Sequence, residues 1–346
     1  MKIIVRGANW IGDAVMTIPA LRELRRLFPD AEIVLHTRPW AEGIFRDAEF
    51  IDEILMIKSK ATGFRETAAE AKRLKAMRFD LAVLFTNSFQ TAAVVRLAGI
   101  KKRFGYAREG RGILLSDPIK PPKWKDERHQ VYYYLNIVGE IERRFFAGES
   151  ISQTTPEVAL SVSETRRIDA REFLESNGVD PKKNLIAIGA GSTNSEAKRW
   201  GEAKFAEIGR RLFDECDAQI VMLGSESETD ISDQVAALGE RDFIDLTGAT
   251  DISMAAAILA EADLFISNDM GLAHLAAAVG TQTIVIFGPT NETVTRPFGD
   301  KNVLIVREPV ECSPCMLRKC PIDHRCMTRI STERVFDLAA SMLKGQ

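Results

Sequence analysis

Apolar residues follow two rhythms along this chain. Short unbroken apolar runs at Lys2–Arg6, Glu32–His36, Ile54–Ile57 and Asp80–Phe85 read as strands. Between them apolar positions recur at helical spacing, first at Ile18, Leu21, Leu24 and Phe28 and then across Thr67–Met77. A strand followed by a helix, repeated, is the pattern of an α/β domain.

After Pro156 the pattern restarts with a helix over Glu164–Ser176 and a turn from Gly178 to Lys183. The strands that follow are nearly pure Ile, Val, Leu and Ala: Leu185–Ile188, Gln219–Leu223, Phe243–Leu246, Leu264–Ser267, Thr283–Phe287 and Asn302–Val306. Strands apolar on both faces belong to parallel sheets covered by helices on each side, because alternation is lost when neither face sees water. The polar stretch 147–163, with Ser, Thr, Gln and Pro156, has the composition of an exposed linker. Two doubly wound parallel-sheet domains are therefore expected, 1–155 and 164–328, with a cleft between them where loops after the strands of both sheets meet. A terminal segment, 329–346, reads as a helix over Thr332–Leu343.

A length of 346 residues agrees with two cores, and 45% hydrophobic with 27% charged residues is an ordinary globular composition. No apolar run reaches the roughly 18 residues a membrane span requires, and the opening MKIIVRGANWIGD lacks the apolar centre of a signal peptide, so a cytoplasmic protein is expected. The net charge of −3 hides an asymmetry: residues 1–150 hold 26 Lys and Arg against 19 Asp and Glu, leaving the remainder strongly acidic. A basic first half suits an anionic acceptor or membrane surface; dispersed solvated charge is the alternative.

Four places carry candidate chemistry. The turn Gly7-Ala8-Asn9-Trp10-Ile11-Gly12-Asp13 joins the first strand to the first helix. It has neither dinucleotide nor Walker spacing, and the second strand ends His36-Thr37-Arg38 without a ribose-binding acid, which disfavours a nicotinamide cofactor. Asp13 at a strand end could act as a general base or serve as a helix N-cap, with Pro19 requiring the helix proper to start near Thr17. The loop Gly189-Ala190-Gly191-Ser192-Thr193-Asn194, followed by Lys198-Arg199-Trp200, offers amides, hydroxyls and a cation to a diphosphate, although surface loops share this composition.

The segment Ser267-Asn268-Asp269-Met270-Gly271-Leu272-Ala273-His274 closes a strand and opens a small-residue helix. Gly271 and the helix amides form an anion site with His274 in the first turn, and Asp269 can accept from sugar hydroxyls; an N-cap beside a packed histidine is the alternative. Last, Cys312, Cys315, Cys320 and Cys326, with His324 among them, have fair metal-ligand spacing, though tight for a tetrahedral site; free thiols holding a loop are the alternative.

Taken in order, GANWIGDAVMTIPALRELRR, GAGSTNSEAKRW, SNDMGLAHLAAAVGTQTIVIFGPT and CSPCMLRKCPIDHRCM resemble the ADP-heptose:lipopolysaccharide heptosyltransferases of glycosyltransferase family 9, and its heptosyltransferase II branch most. The resemblance spans essentially the whole chain. It implies a GT-B fold of two Rossmann-like domains, the first holding the acceptor and the second the ADP-sugar, with the final helix packing back on the first. It implies an inverting displacement from ADP-L-glycero-β-D-manno-heptose onto the heptosyl-Kdo inner core, with Asp13 as base. Ser192, Thr193, Lys198, Asp269, Met270, Gly271, Leu272 and His274 then match the donor site, and Glu228 the acid on the nucleotide ribose.

No cofactor is implied, a structural metal at the cysteines remaining an option, and no D-x-D motif marks a metal-dependent transferase. The basic segment Lys101–Arg128, nine Lys and Arg against four acids, with Gly12, Lys123 and Lys125, is the expected acceptor side, working on Kdo- and heptose-bearing lipid A at the inner face of the inner membrane. No nucleic-acid partner is expected, and with no coiled coil demanding assembly a monomer is. A two-sheet sugar-nucleotide epimerase, another sugar or acceptor within the family, and a non-catalytic sensor are the competing readings.

Overall fold

A computed structural model of the chain describes residues 1–57, 63–299 and 301–344, which fall into two compact units, Met1–Val158 and Ala159–Gln346. In the first, six strands form a wholly parallel sheet: β1 (Lys2–Arg6), β2 (Glu32–Thr37), β3 (Glu53–Met56), β4 (Leu81–Leu84), β5 (Lys102–Tyr106) and β6 (Asp117–Ile119). Their spatial order is β3-β2-β1-β4-β5-β6. The second unit builds β7 (Asn184–Gly189), β8 (Ala218–Met222), β9 (Ile244–Asp245), β10 (Leu264–Asn268), β11 (Gln282–Phe287) and β12 (Val303–Arg307) in the order β12-β11-β10-β7-β8-β9.

Counted from its own first strand, each sheet runs 3-2-1-4-5-6, the Rossmann order, so the chain reverses direction between β1 and β4 in one unit and between β7 and β10 in the other. Ligands of such sheets gather beyond the carboxyl ends of the strands at that reversal. The loops after β1, β7 and β10 are three of the four sequence candidates, and all three start at a reversal point.

The strands are as apolar as expected: Ile3, Val5, Ile33, Val34, Leu81 and Val83 in the first sheet, and Ile186, Ile188, Ile220, Ile266 and Ile284 in the second, are fully buried. Two elements of the first unit escape the apolar pattern. β5 reads Lys-Arg-Phe-Gly-Tyr, yet Arg103 is buried with its guanidinium donating to the carbonyls of Leu114, Ile100 and Lys101. Arg111 is fully buried, and its donors go to the carbonyls of Tyr106 and Thr86 and to Asn87 Oδ1. Two cations in the basic segment are thus internal, which reduces the charge that Lys101–Arg128 shows to solvent.

The helix Ile11–Met16 ends at Thr17 and a second runs Ile18–Leu27 with Pro19 in its first turn, where no backbone donor is lost. The closing helix, Thr332–Lys344, was expected on the first domain; its buried face of Val335, Phe336 and Ala339 lies on the core of the second unit, with Arg211 of the helix Glu202–Cys216 stacked on the Phe336 ring. No helix among the described residues is long and apolar enough to cross a membrane.

Candidate functional site

At the first reversal point the loop after β1 is shaped by a buried cation. Arg6 ends β1 and its guanidinium donates to the carbonyl of Gly7 and to Asn9 Oδ1 at 2.9 Å. Burial, then the neighbouring Arg38, lowers its pKa to about 10. Gly7 has no room for a side chain without crowding, since a Cβ would stand 3.2 Å from both Leu35 Cδ1 and Thr37 Oγ1. The loop delivers the chain to Trp10, the N-cap of the helix Ile11–Met16, so Asp13 is not the cap but the third helical residue. Gly12 and Asp13 are half-buried. The carboxylate of Asp13 accepts a hydrogen bond from Tyr134 Oη at 3.1 Å.

The second unit brings its candidate residues to the reversal between β7 and β10. Asn268, fully buried at the end of β10, donates to the carbonyls of Ala190 and Gly191, at 2.6 and 3.2 Å, and accepts from Trp200 N at 3.0 Å. One side chain therefore ties the loop after β7 to the strand beside it. Asp269 follows, 5% exposed, and its Oδ2 lies 2.7 Å from Lys198 Nζ and accepts from Thr290 Oγ1 at 2.7 Å. Met270 is the N-cap of the helix Gly271–Val279, so Asp269 stands outside the helix and is not its cap. Leu272 and His274 are buried in that helix. Gly189 must lack a side chain because a Cβ would meet Met270 Sδ at 2.7 Å.

Ser192 is buried and Thr193 exposed on the loop between Gly191 and Lys198. Glu228 closes the other side of Gly191. It is 4% exposed, its Oε2 accepts from Ser225 N and Oγ at 2.9 and 2.8 Å, and its Oε1 has no hydrogen-bond partner among the described residues. Glu228 lines a small recess together with Ala190, Gly191, Gly224 and Thr247. A half-buried Lys, a glycine turn, a helix start and two buried carboxylates near one strand reversal are groups chemically able to bind phosphate and hydroxyls.

The model of glycosyltransferase family 9 (heptosyltransferase) matches residues 67–325. The chain belongs to that family. The glycosyltransferase is 27% identical to lipooligosaccharide heptosyltransferase 2 of Campylobacter jejuni serotype O:2, over 100% of this chain and 99% of that one. It is also 27% identical to lipopolysaccharide heptosyltransferase 2 of Escherichia coli K12, covering 87% and 86% of the two chains. Among solved structures, E. coli ADP-heptose LPS heptosyltransferase II superposes with a TM-score of 0.84 at 24% identity, over 100% of this chain and 99% of that one, which shows a shared GT-B fold. Membership of a transferase family selects transfer over the epimerase reading.

Elsewhere in the glycosyltransferase the expected residues are scattered. Lys123 is exposed, and Lys125 pairs with Asp126 at 2.8 Å, beside Arg128 stacked on the Tyr132 ring. Cys312 and Cys315 are exposed, Cys320 is half-buried and Cys326 belongs to the core. No group of three or more His, Cys, Asp or Glu among the described residues is arranged to hold a metal ion. Burial, then the nearby Cys312, Cys315 and Cys320, pushes the Cys326 thiol up to about 11.

Sequence reasoning missed Tyr134, Thr290 and Arg6. Tyr134 lies on the helix Gln130–Phe146, among three consecutive tyrosines whose aromatic run looks like core. Thr290 follows the Gly288-Pro289 pair after β11, and that Gly-Pro strand end was its only local signal. Arg6, a lone cation ending an apolar strand, was legible as an anomaly.

Proposed function

We propose that this glycosyltransferase moves heptose from ADP-L-glycero-β-D-manno-heptose to the heptosyl-Kdo inner core of lipopolysaccharide by a single displacement that inverts the anomeric carbon. The observation that carries the donor half is the buried Asp269 carboxylate held by Lys198 and Thr290 beside the Gly189–Gly191 turn. A diphosphate entering there takes the lysine as counter-charge, with the amides at Gly271 and His274 on the same side. Asp269 is then left to accept from heptose hydroxyls. The unpartnered Glu228 oxygen accepts from a ribose hydroxyl.

Asp13 supplies the base. It takes the proton of an acceptor hydroxyl whose oxygen forms the new bond to the anomeric carbon, while the bond to ADP breaks and its electron pair leaves with the diphosphate. Charge growing on the leaving group meets Lys198 and the helix start, which is electrostatic stabilisation without a resident metal or cofactor. The acceptor carries Kdo carboxylates and a lipid, so the enzyme works at the inner face of the inner membrane, with Lys123 and Lys125 near the anionic sugars. Charge reversal at both lysines is expected to raise the acceptor KM and leave donor hydrolysis unchanged; an unaltered acceptor KM removes them from the acceptor side.

The deciding experiment is transfer from ADP-heptose by purified protein to Kdo2–lipid A and to its mono-heptosylated form, with and without chelator. Transfer to the mono-heptosylated acceptor alone supports the proposal. Transfer to Kdo2–lipid A assigns the first heptose position instead, and transfer to neither means another sugar or acceptor.

A further inference from the structure

The cysteine-bearing segment Glu311–Arg325 plays no part in the proposed displacement, yet it is bonded to the neighbours of both residues that meet at Asp269. On one side it grips the short turn Glu196–Lys198. Ala197 N donates to the carbonyl of Arg318 at 3.0 Å, and Ser195 Oγ donates to the same oxygen at 3.3 Å. His324 Nε2 lies 2.6 Å from the carbonyl of Ala197. A carbonyl only accepts, so Nε2 carries the proton and the imidazole is the donor. Ala197, the residue just before Lys198, is thus held at its amide and at its carbonyl by one segment.

On the other side the segment is fixed to the chain just before Thr290. Ser313 Oγ donates to the carbonyl of Gly288 at 2.6 Å, and Met316 N donates to that of Pro289 at 2.8 Å. Gly288 is packed so closely on this region that a Cβ would lie 2.3 Å from Met327 Sδ and 3.2 Å from Cys326 Sγ. Lys198 and Thr290 both bond Asp269 Oδ2, and each is attached through its neighbours to the same loop.

We infer that the cysteine-bearing segment is a brace that sets the place of Lys198 relative to Asp269, and that His324 is a positioning residue for donor binding acting through Ala197. The inference rests on Lys198 being the donor-phosphate cation. A lysine at the end of a free loop samples many rotamers, and each lost contact to the preceding peptide widens that search. The brace confines it before the donor arrives, so its effect falls on donor affinity and not on the acceptor.

The backbone of His324 is left-handed, with φ of 56°, which allows two variants to oppose each other. Asn is comfortable in that conformation but is too short to reach the Ala197 carbonyl; Gln places an amide near the position of Nε2 but fits the backbone less well. His324→Asn is expected to raise the KM for ADP-heptose about tenfold with acceptor KM and melting temperature unchanged, and His324→Gln to restore most of it. In a Lys198→Ala background His324→Asn should add nothing.

A wild-type donor KM in His324→Asn, with a raised one in Lys198→Ala, overturns the brace alone. An unchanged donor KM in Lys198→Ala overturns the donor reading on which it rests. If Gln fails and Asn is normal, the histidine serves its own backbone turn and not the lysine.

Discussion

Tyr134 donates its phenolic hydrogen to Asp13 across 3.1 Å, joining residues 121 positions apart in sequence. The tyrosine is buried, with its ring edge-on to Phe85 at 5.4 Å. Burial first, and the charge of Asp13 next, hold the phenol well above its ordinary pKa, so it stays a donor. One carboxylate oxygen is thereby occupied, and the side chain is held in one rotamer. Tyr134→Phe is expected to lower kcat about 10- to 100-fold with little change in either KM, the size of one hydrogen bond to a charged group. Asp13→Asn should reduce transfer far more, and the tyrosine change should cost nothing further in that background. Steady-state kinetics of the two single variants and the double variant decide it; full activity in Asp13→Asn removes the base assignment.

The ion pair between Lys198 and Asp269 has a structural as well as a functional side. Removing the lysine leaves a nearly buried carboxylate that still accepts from Thr290, so Lys198→Ala should lower stability by about 1–3 kcal/mol and raise the donor KM. Neutralising both partners, Lys198→Met with Asp269→Asn, should recover most of the stability and none of the activity. Denaturant unfolding beside donor titration separates the two effects, and recovery of activity along with stability would contradict the site.

Glu228 lines a recess, and Ser225 occupies one of its two carboxylate oxygens. Glu228→Gln is expected to weaken ADP binding about tenfold, the order of one charge-assisted hydrogen bond. The loss should shrink when calorimetry is repeated with 2′-deoxy or 3′-deoxy ADP. Equal losses for all three nucleotides would place the carboxylate away from the ribose.

Acid should loosen the first unit at Glu142. Burial opposes ionisation there, but donors at Ile151 N, Ser150 Oγ and Ser150 N, with Arg26 beyond them, overcome it and hold the carboxyl below the ordinary 4.5. A folded-state pKa below the unfolded one contributes stability that is complete above 4.5 and is lost as pH falls through the lower, folded value. Glu142→Gln should therefore cost about 1–3 kcal/mol at neutral pH, with the gap to wild type closing as the pH falls below 4.5. A gap that stays constant with pH would mean packing, not charge, is lost.

The fold was legible where burial was uniform. Two-sided apolar runs gave β1, β2, β4 and every strand of the second unit except the full span of β9, which keeps only Ile244–Asp245. The exceptions are physical. β5 hides Arg103, and the turn after it hides Arg111, by giving their donors mainly to backbone carbonyl oxygens, which no hydropathy pattern records, and β6 contains Pro118. The three site loops could be found because glycines and polar residues stood where strands ended. What they touch could not, because Tyr134, Thr290 and His324 meet their partners only through the crossovers of the sheet. Both aspartates could equally have been helix caps, and the helices are capped by Trp10 and Met270 instead.

The strand order has a consequence for how the protein comes into being. β7 and β10 are neighbours although β8, β9 and the helices around them come between in the chain, and Asp269 awaits Thr290 from still later in the chain. On the ribosome, then, no growing chain presents the lysine–aspartate–threonine group until β11 has emerged. If that group holds the donor as proposed, unfinished products should not bind the sugar nucleotide, and truncated copies should accumulate without competing for it.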